Sequence, residues 1–107
     1  MPAAGGTDGG AVGPMAERLY VLTYDYVENV VERRAPHRAE HLAYAGRWRD
    51  EGKIVMAGAV GDPPRGALLV FRVPDVAEVE AFADGDPYVA AGLVTGRDVQ
   101  PWNVVIS

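Results

Sequence analysis

Two histidines set what chemistry this chain can do, and they stand four residues apart in His37-Arg38-Ala39-Glu40-His41. An imidazole changes charge near neutral pH, which makes His41 a candidate general base. A histidine midway along a helix also admits a purely structural role. The same five residues read H-x-x-E-H, the inverzincin protease pattern, and histidines at i and i+4 share a helix face on which a metal can sit. A catalytic zinc needs a third protein ligand, inverzincins are far larger chains with a distal acid, and so short a pattern often matches by chance. No metal and no cofactor is therefore expected. The chain has no cysteine, which removes disulfides, a thiolate nucleophile and thiolate zinc sites.

Tyr44 and Trp48 follow His41 by three and seven residues, on the same helical stripe. They are candidates to line a pocket that stacks a ring-shaped substrate; the bland reading makes them core or dimer-interface residues. Arg38, four residues after Arg34 and three before His41, is either a holder for an anion or phenolate or a surface ion-pair partner of nearby carboxylates. Asp86 precedes Pro87, a good arrangement for capping a helix whose first turn holds the proline. No glycine-rich phosphate loop is present.

The formal net charge is −5, a poor footprint for nucleic-acid binding. Arg33, Arg34, Arg38, Arg47 and Arg49 cluster, but Glu32, Glu40, Asp50 and Glu51 are interleaved with them, which reads as a solvated helix face. No apolar run approaches the roughly 18 residues of a membrane span. Neither nucleic acid nor membrane is expected as a partner, and the expected location is the cytoplasm. Residues 1–15 form a glycine-rich segment read as a flexible tail, with Met15 a candidate start, and residues 17–107 form one domain.

The elements that must position these side chains follow from periodicity. Residues 19–26 are aromatic and β-branched and predict a first strand. Residues 28–34 hold a turn or two of helix. Pro36 then opens a longer helix to about residue 51, ended by Gly52. Residues 53–60 and 67–73 predict a hairpin about the turn 61–66, the second of these strands so apolar that cover on both sides is expected. Asp75 caps a helix carrying Val76, Val79 and Phe82 or Ala83. A short helix from Asp86-Pro87 follows, then a strand over residues 97–106 with Trp102, Val104 and Ile106 on one face. The order β-α-β-β-α-β is the split βαβ of ferredoxin-like folds: an α+β protomer with four antiparallel strands and helices on one face. The other face invites a partner, and a second copy is the simplest one.

Arg38-Ala39-Glu40-His41-Leu42 resembles the Arg-x-x-His-Leu helix motif of the YCII-related (YciI-like) family. Asp86-Pro87-Tyr88-Val89-Ala90-Ala91-Gly92-Leu93 is similar to its Asp-Pro-Tyr-x-x-Ala-Gly-Leu segment. Gly66-Ala67-Leu68-Leu69-Val70-Phe71 resembles its third strand, and Pro101-Trp102 fits its closing strand. The resemblance spans about residues 18–105; Gly58-Ala59 departs from the Gly-Pro common in the family after the second strand. It implies a dimer joined through the sheet, the dimeric α/β barrel, with a site built on His41 and Asp86. Asp86 would orient the His41 base; the candidates to bind substrate beside them are Arg38, Tyr44, Trp48 and Tyr88. The activity assigned within the family is lyase-type elimination of hydrogen chloride from a chlorinated hydroxyhydroquinone. The expectation is thus a small homodimeric lyase acting on a small organic molecule such as a hydroxylated aromatic. The alternative is a non-catalytic dimeric small-ligand-binding or accessory domain. A cofactor-free oxygenase is a third option, resting on fold analogy alone.

Overall fold

The computed structural model describes residues 18–107; the predicted tail lies outside them. In chain order the elements are β1 (Arg18–Tyr26), α1 (Val30–Arg33), a 3-10 turn (Ala35–His37), α2 (Arg38–Asp50), β2 (Ile54–Val60), β3 (Gly66–Val73), α3 (Val76–Gly85), α4 (Pro87–Ala90) and β4 (Val94–Pro101). The sheet order is β2-β3-β1-β4, with every pairing antiparallel. This is the ferredoxin-like arrangement, with the first and third strands central.

Register decides which residues meet the helices. Leu22 lies opposite Leu69 and Tyr20 opposite Phe71, so the alternate residues Tyr20, Leu22 and Tyr24 of β1 share a face with Ala67, Leu69, Phe71 and Val73 of β3. All seven are buried, and Val79, Phe82 and Ala83 of α3 close over them. Phe82 is the hub, with ring centroids 5.0 Å from Tyr44, 5.2 Å from Trp48 and 5.2 Å from Phe71. Each such aromatic pair adds about 0.5–1.5 kcal/mol beyond area burial. α2 contributes only half-buried side chains here and buries no residue fully.

The opposite face carries Val21, Leu68, Val70, Met56 and Val60. Leu68 is 39% exposed, Val60 53% and Met56 64%. The expectation that β3 is covered on both sides therefore fails within one chain: Leu68 and Arg72 are exposed, although Val70 is buried.

Other boundaries differ for local reasons. Pro36 sits in the 3-10 turn rather than opening α2, which starts at Arg38. Asp75 occupies the position before α3 without a side-chain capping bond. The last strand is shifted toward the N-terminus. Gly92, at φ +75°, turns the chain, and Val94 already pairs with Tyr26. At the far end Pro101 has no N–H to donate. The Trp102 N–H reaches the Leu19 carbonyl at 2.9 Å, and residues beyond it form no strand. Gly52, at φ +81°, ends α2 as expected.

Candidate functional site

The short helix α4 places a carboxylate in the interior. Asp86 stands before Pro87 with extended backbone, and its Oδ1 accepts the Tyr88 N–H at 2.9 Å, an N-cap bond. Its side chain is fully buried, which demands partners for the remaining lone pairs. They come from two other elements. The Tyr24 hydroxyl of β1 donates to Oδ2 at 2.8 Å, and His41 Nδ1 of α2 lies 2.7 Å from Oδ1. Chain separations of 62 and 45 residues are bridged at one side chain.

A carboxylate that accepts from a phenol and a backbone amide also takes the Nδ1 proton, so the imidazole is assigned with hydrogen on Nδ1 and a free lone pair on Nε2. The His41 ring is held a second way, stacked on Tyr88 with centroids 3.7 Å apart and planes 5° from parallel. Its side chain remains 12% exposed. Burial, then the neighbouring Asp86 charge and hydrogen bond, pushes the Tyr24 phenol far above its ordinary range, keeping it a neutral donor.

His41, Tyr88, Tyr24 and Arg38 line a cavity of about 310 Å³. Its volume exists because the facing strands carry small residues there. Ala57 and Ala59 of β2 and Ala67 of β3 point toward α2, and larger side chains would fill the gap. Gly58-Ala59, the departure from the family pattern, forms part of this wall. Tyr26 and Arg34 also line it. Burial pushes the Tyr26 phenol from 10.0 up to about 12, with Tyr88 and Asp86 acting in the same direction and Arg34 and Arg38 against it. A larger cleft of about 610 Å³ adjoins at Tyr26 and Pro64, lined by Glu28, Glu32 and Arg65 among apolar neighbours and holding no comparable constellation.

Of the side chains singled out in the sequence, His41, Asp86, Arg38 and Tyr88 come together here. Tyr44 and Trp48 do not line this cavity. Tyr44 donates to the Phe82 carbonyl at 2.8 Å and Trp48 packs edge-on against Phe71 and Phe82. One helical stripe thus splits between site and core, because α2 crosses from the cavity at His41 to the Phe82 cluster at Trp48. The surface ion-pair reading of Arg38 is also set aside: its guanidinium has no carboxylate partner among the described residues, and the one arginine ion pair on α2 joins Arg49 to Asp50. Among the described residues no group of three or more His, Asp or Glu side chains is arranged to hold a metal, and His41 Nδ1 is occupied by Asp86.

Tyr24, Tyr26 and Arg34 were not anticipated. The signal was present: Tyr24 and Tyr26 stand two apart at the end of β1, and Arg34 lies one helical turn before Arg38. No helix of the described residues is long and apolar enough to cross a membrane.

Known proteins share this frame. Protein YciI of Escherichia coli is 31% identical over 96 residues, covering 81% of this chain and 98% of its own. The 5-chloro-2-hydroxyhydroquinone dehydrochlorinase of Burkholderia phenoliruptrix AC1100, solved with 2,5-dihydroxybenzoquinone, superposes with a TM-score of 0.68 at 25% identity, over 79% of this chain and 93% of its own. A dimeric ferredoxin-like protein from an uncultured marine organism shares the fold at 14% identity, with a TM-score of 0.52 over 88% of this chain and 92% of its own. The YCII-related domain profile matches residues 18–103, and the chain belongs to the YCII-related family.

Proposed function

We propose that the protein is a cofactor-independent lyase that removes a proton and a leaving group, such as chloride, from a small hydroxylated aromatic molecule. The observation that carries this reading is the 2.7 Å contact between His41 Nδ1 and the buried Asp86 carboxylate, beside a cavity that His41 lines. His41 Nε2 takes the substrate proton, and the freed electron pair moves into the carbon skeleton as chloride departs. Asp86 stabilises the imidazolium that forms. The net loss is hydrogen chloride, with neither oxidant nor reductant needed. Similarity to a dehydrochlorinase at 25% identity supports the reaction class.

The working unit in this reading is a homodimer joined through the outer sheet face, where Met56, Val60 and Leu68 are exposed, and it acts in the cytoplasm. Support comes from a structural neighbour described as dimeric and from the tendency of exposed apolar patches to mark interfaces.

Chloride release from 5-chloro-2-hydroxyhydroquinone tests the reaction. Turnover by the wild type, reduced roughly 10²–10⁴-fold by His41→Ala, is expected of a general base. A second reading, a non-catalytic dimeric ligand-binding domain, is favoured by the cap bond from the Tyr88 N–H, which gives Asp86 a structural role that needs no catalysis. Binding of 2,5-dihydroxybenzoquinone with no product from any chlorinated hydroquinone would select that reading and end the first.

A further inference from the structure

Several groups on the cavity wall have no partner among the described residues. The guanidiniums of Arg34, half-buried, and Arg38, exposed, line the cavity, and neither is among the ion-paired arginines of the described residues, Arg49 and Arg97. Tyr88 is 2% exposed, and its hydroxyl is buried without a hydrogen-bond partner among the described residues. A buried, unpaired hydroxyl is disfavoured, and native structures tolerate one mainly where something absent completes it.

The charge is as informative. In a chain of net charge −5, no Asp or Glu side chain among the described residues lines this cavity. The carboxylate beneath it, Asp86, already accepts from three donors. Tyr26 stays a neutral phenol because burial holds its ionisation up to about 12, so it too is available to donate. The wall therefore offers two guanidiniums and two phenols against a floor of small apolar residues. The acceptor it provides is His41 Nε2. Guanidiniums recognise carboxylates and ring oxyanions through paired N–H donors. About 310 Å³ lies at the small end of ligand pockets, room for a single-ring molecule.

We propose that this cavity selects a small planar organic anion, its oxyanion held by Arg34 and Arg38, a polar atom accepting from the Tyr88 hydroxyl, and its ring against Ala57, Ala59 and Ala67. The proposal shares the cavity of the lyase reading and adds the charge of the substrate. It holds equally if the protein only binds.

Titration calorimetry of the full chain with 2-hydroxybenzoate and its neutral analogue 2-hydroxybenzamide tests it. The acid binds at least about tenfold more tightly than the amide. Arg34→Gln and Arg38→Gln each weaken the acid by about fivefold or more and weaken the amide by less, so the preference for the acid shrinks. Tyr88→Phe weakens binding while its melting temperature holds or rises, since the change removes an unpaired buried hydroxyl; a merely structural Tyr88 would lower it. Equal affinity for acid and amide, no saturable binding of the acid, or arginine variants that bind like the wild type each overturn the proposal. Acid selectivity in a protein that turns over no chlorinated hydroquinone leaves the anion site standing and removes the lyase. Turnover indifferent to Arg34→Gln and Arg38→Gln does the reverse.

Discussion

Replacing Asp86 by asparagine and by alanine separates what its shape contributes from what its charge contributes. Alanine removes the acceptor of three donors. Loss of the α4 cap costs about 1 kcal/mol. The Tyr24 hydroxyl, in a residue 2% exposed, is left without a partner at about 1–3 kcal/mol. His41 loses a hydrogen bond to a charged group, again about 1.5–3 kcal/mol, partly recovered because its ring still reaches water. The sum is about 4 kcal/mol, or roughly 15–30 °C in melting temperature for a domain of this size.

Asparagine behaves differently because of which oxygen does what. Oδ1 accepts both the Tyr88 N–H and His41 Nδ1, so the backbone amide forces the asparagine oxygen into that place. Its NH₂ then falls at Oδ2, where the Tyr24 hydroxyl can rotate to accept. Cap, packing and the Nδ1–H tautomer all survive, and the stability loss is about 1 kcal/mol. What disappears is the negative charge facing the imidazolium, and with it about 10²-fold in any turnover that uses His41 as base. Thermal unfolding of both variants, with chloride release measured on Asp86→Asn, reads both effects. Equal melting temperatures for the two variants, or an alanine variant within about 1 kcal/mol of the wild type, would refute the assignment of the three bonds.

Alkaline pH provides an independent check. The Tyr26 phenol is raised by burial first, to about 12, so the folded state keeps a proton that the unfolded chain releases near pH 10. The stability it contributes is complete below pH 10 and is lost as pH rises through 12; denaturant midpoints should be level up to pH 10 and fall beyond it, less steeply in Tyr26→Phe. Leu68→Glu places a charge on the outer sheet face and should weaken self-association at least about tenfold by analytical ultracentrifugation, without loss of helical signal. Trp48→Ala should cost about 3 kcal/mol in urea unfolding and change ligand affinity less than about twofold, because Trp48 touches Phe71 and Phe82 and not the cavity.

The fold was legible wherever one residue period dominated. Tyr20, Leu22 and Tyr24 alternate, Val79 and Phe82 recur at helical spacing, and Gly52 ends α2 where a left-handed turn is needed. Legibility failed where two signals competed. Residues 102–106 alternate like a strand, yet Pro101 interrupts the ladder and only the Trp102 N–H continues it. Conversely, Val94-Thr95-Gly96 stand ahead of the strand expected from residue 97, and pair with β1 because Gly92 has already reversed the chain. Around the site, the stripe from His41 to Trp48 pointed at one surface only on the assumption that α2 lies flat along it. The partners that fix Asp86 were out of reach for another reason. Tyr24 reads as an ordinary core aromatic, and its hydroxyl matters only because a carboxylate 62 residues away is buried beneath it.

The capping and orienting readings of Asp86 look like rivals in the sequence and are one physical arrangement in the fold. A carboxylate aimed at an imidazole is useful only if its rotamer is fixed, and a free surface aspartate would spend entropy to hold still. Here the cap bond from the Tyr88 N–H fixes Oδ1 relative to α4 and the Tyr24 hydroxyl fixes Oδ2 relative to β1. The lone pair left for His41 then points where two rigid elements dictate. Tyr88 closes the loop, since the residue whose amide orients the carboxylate also stacks its ring on the imidazole that the carboxylate receives. The stability of α4 and the direction of His41 therefore cannot be varied separately by deletion. Only a change that keeps the oxygen at Oδ1 and removes the charge can tell an orienting carboxylate from a capping one.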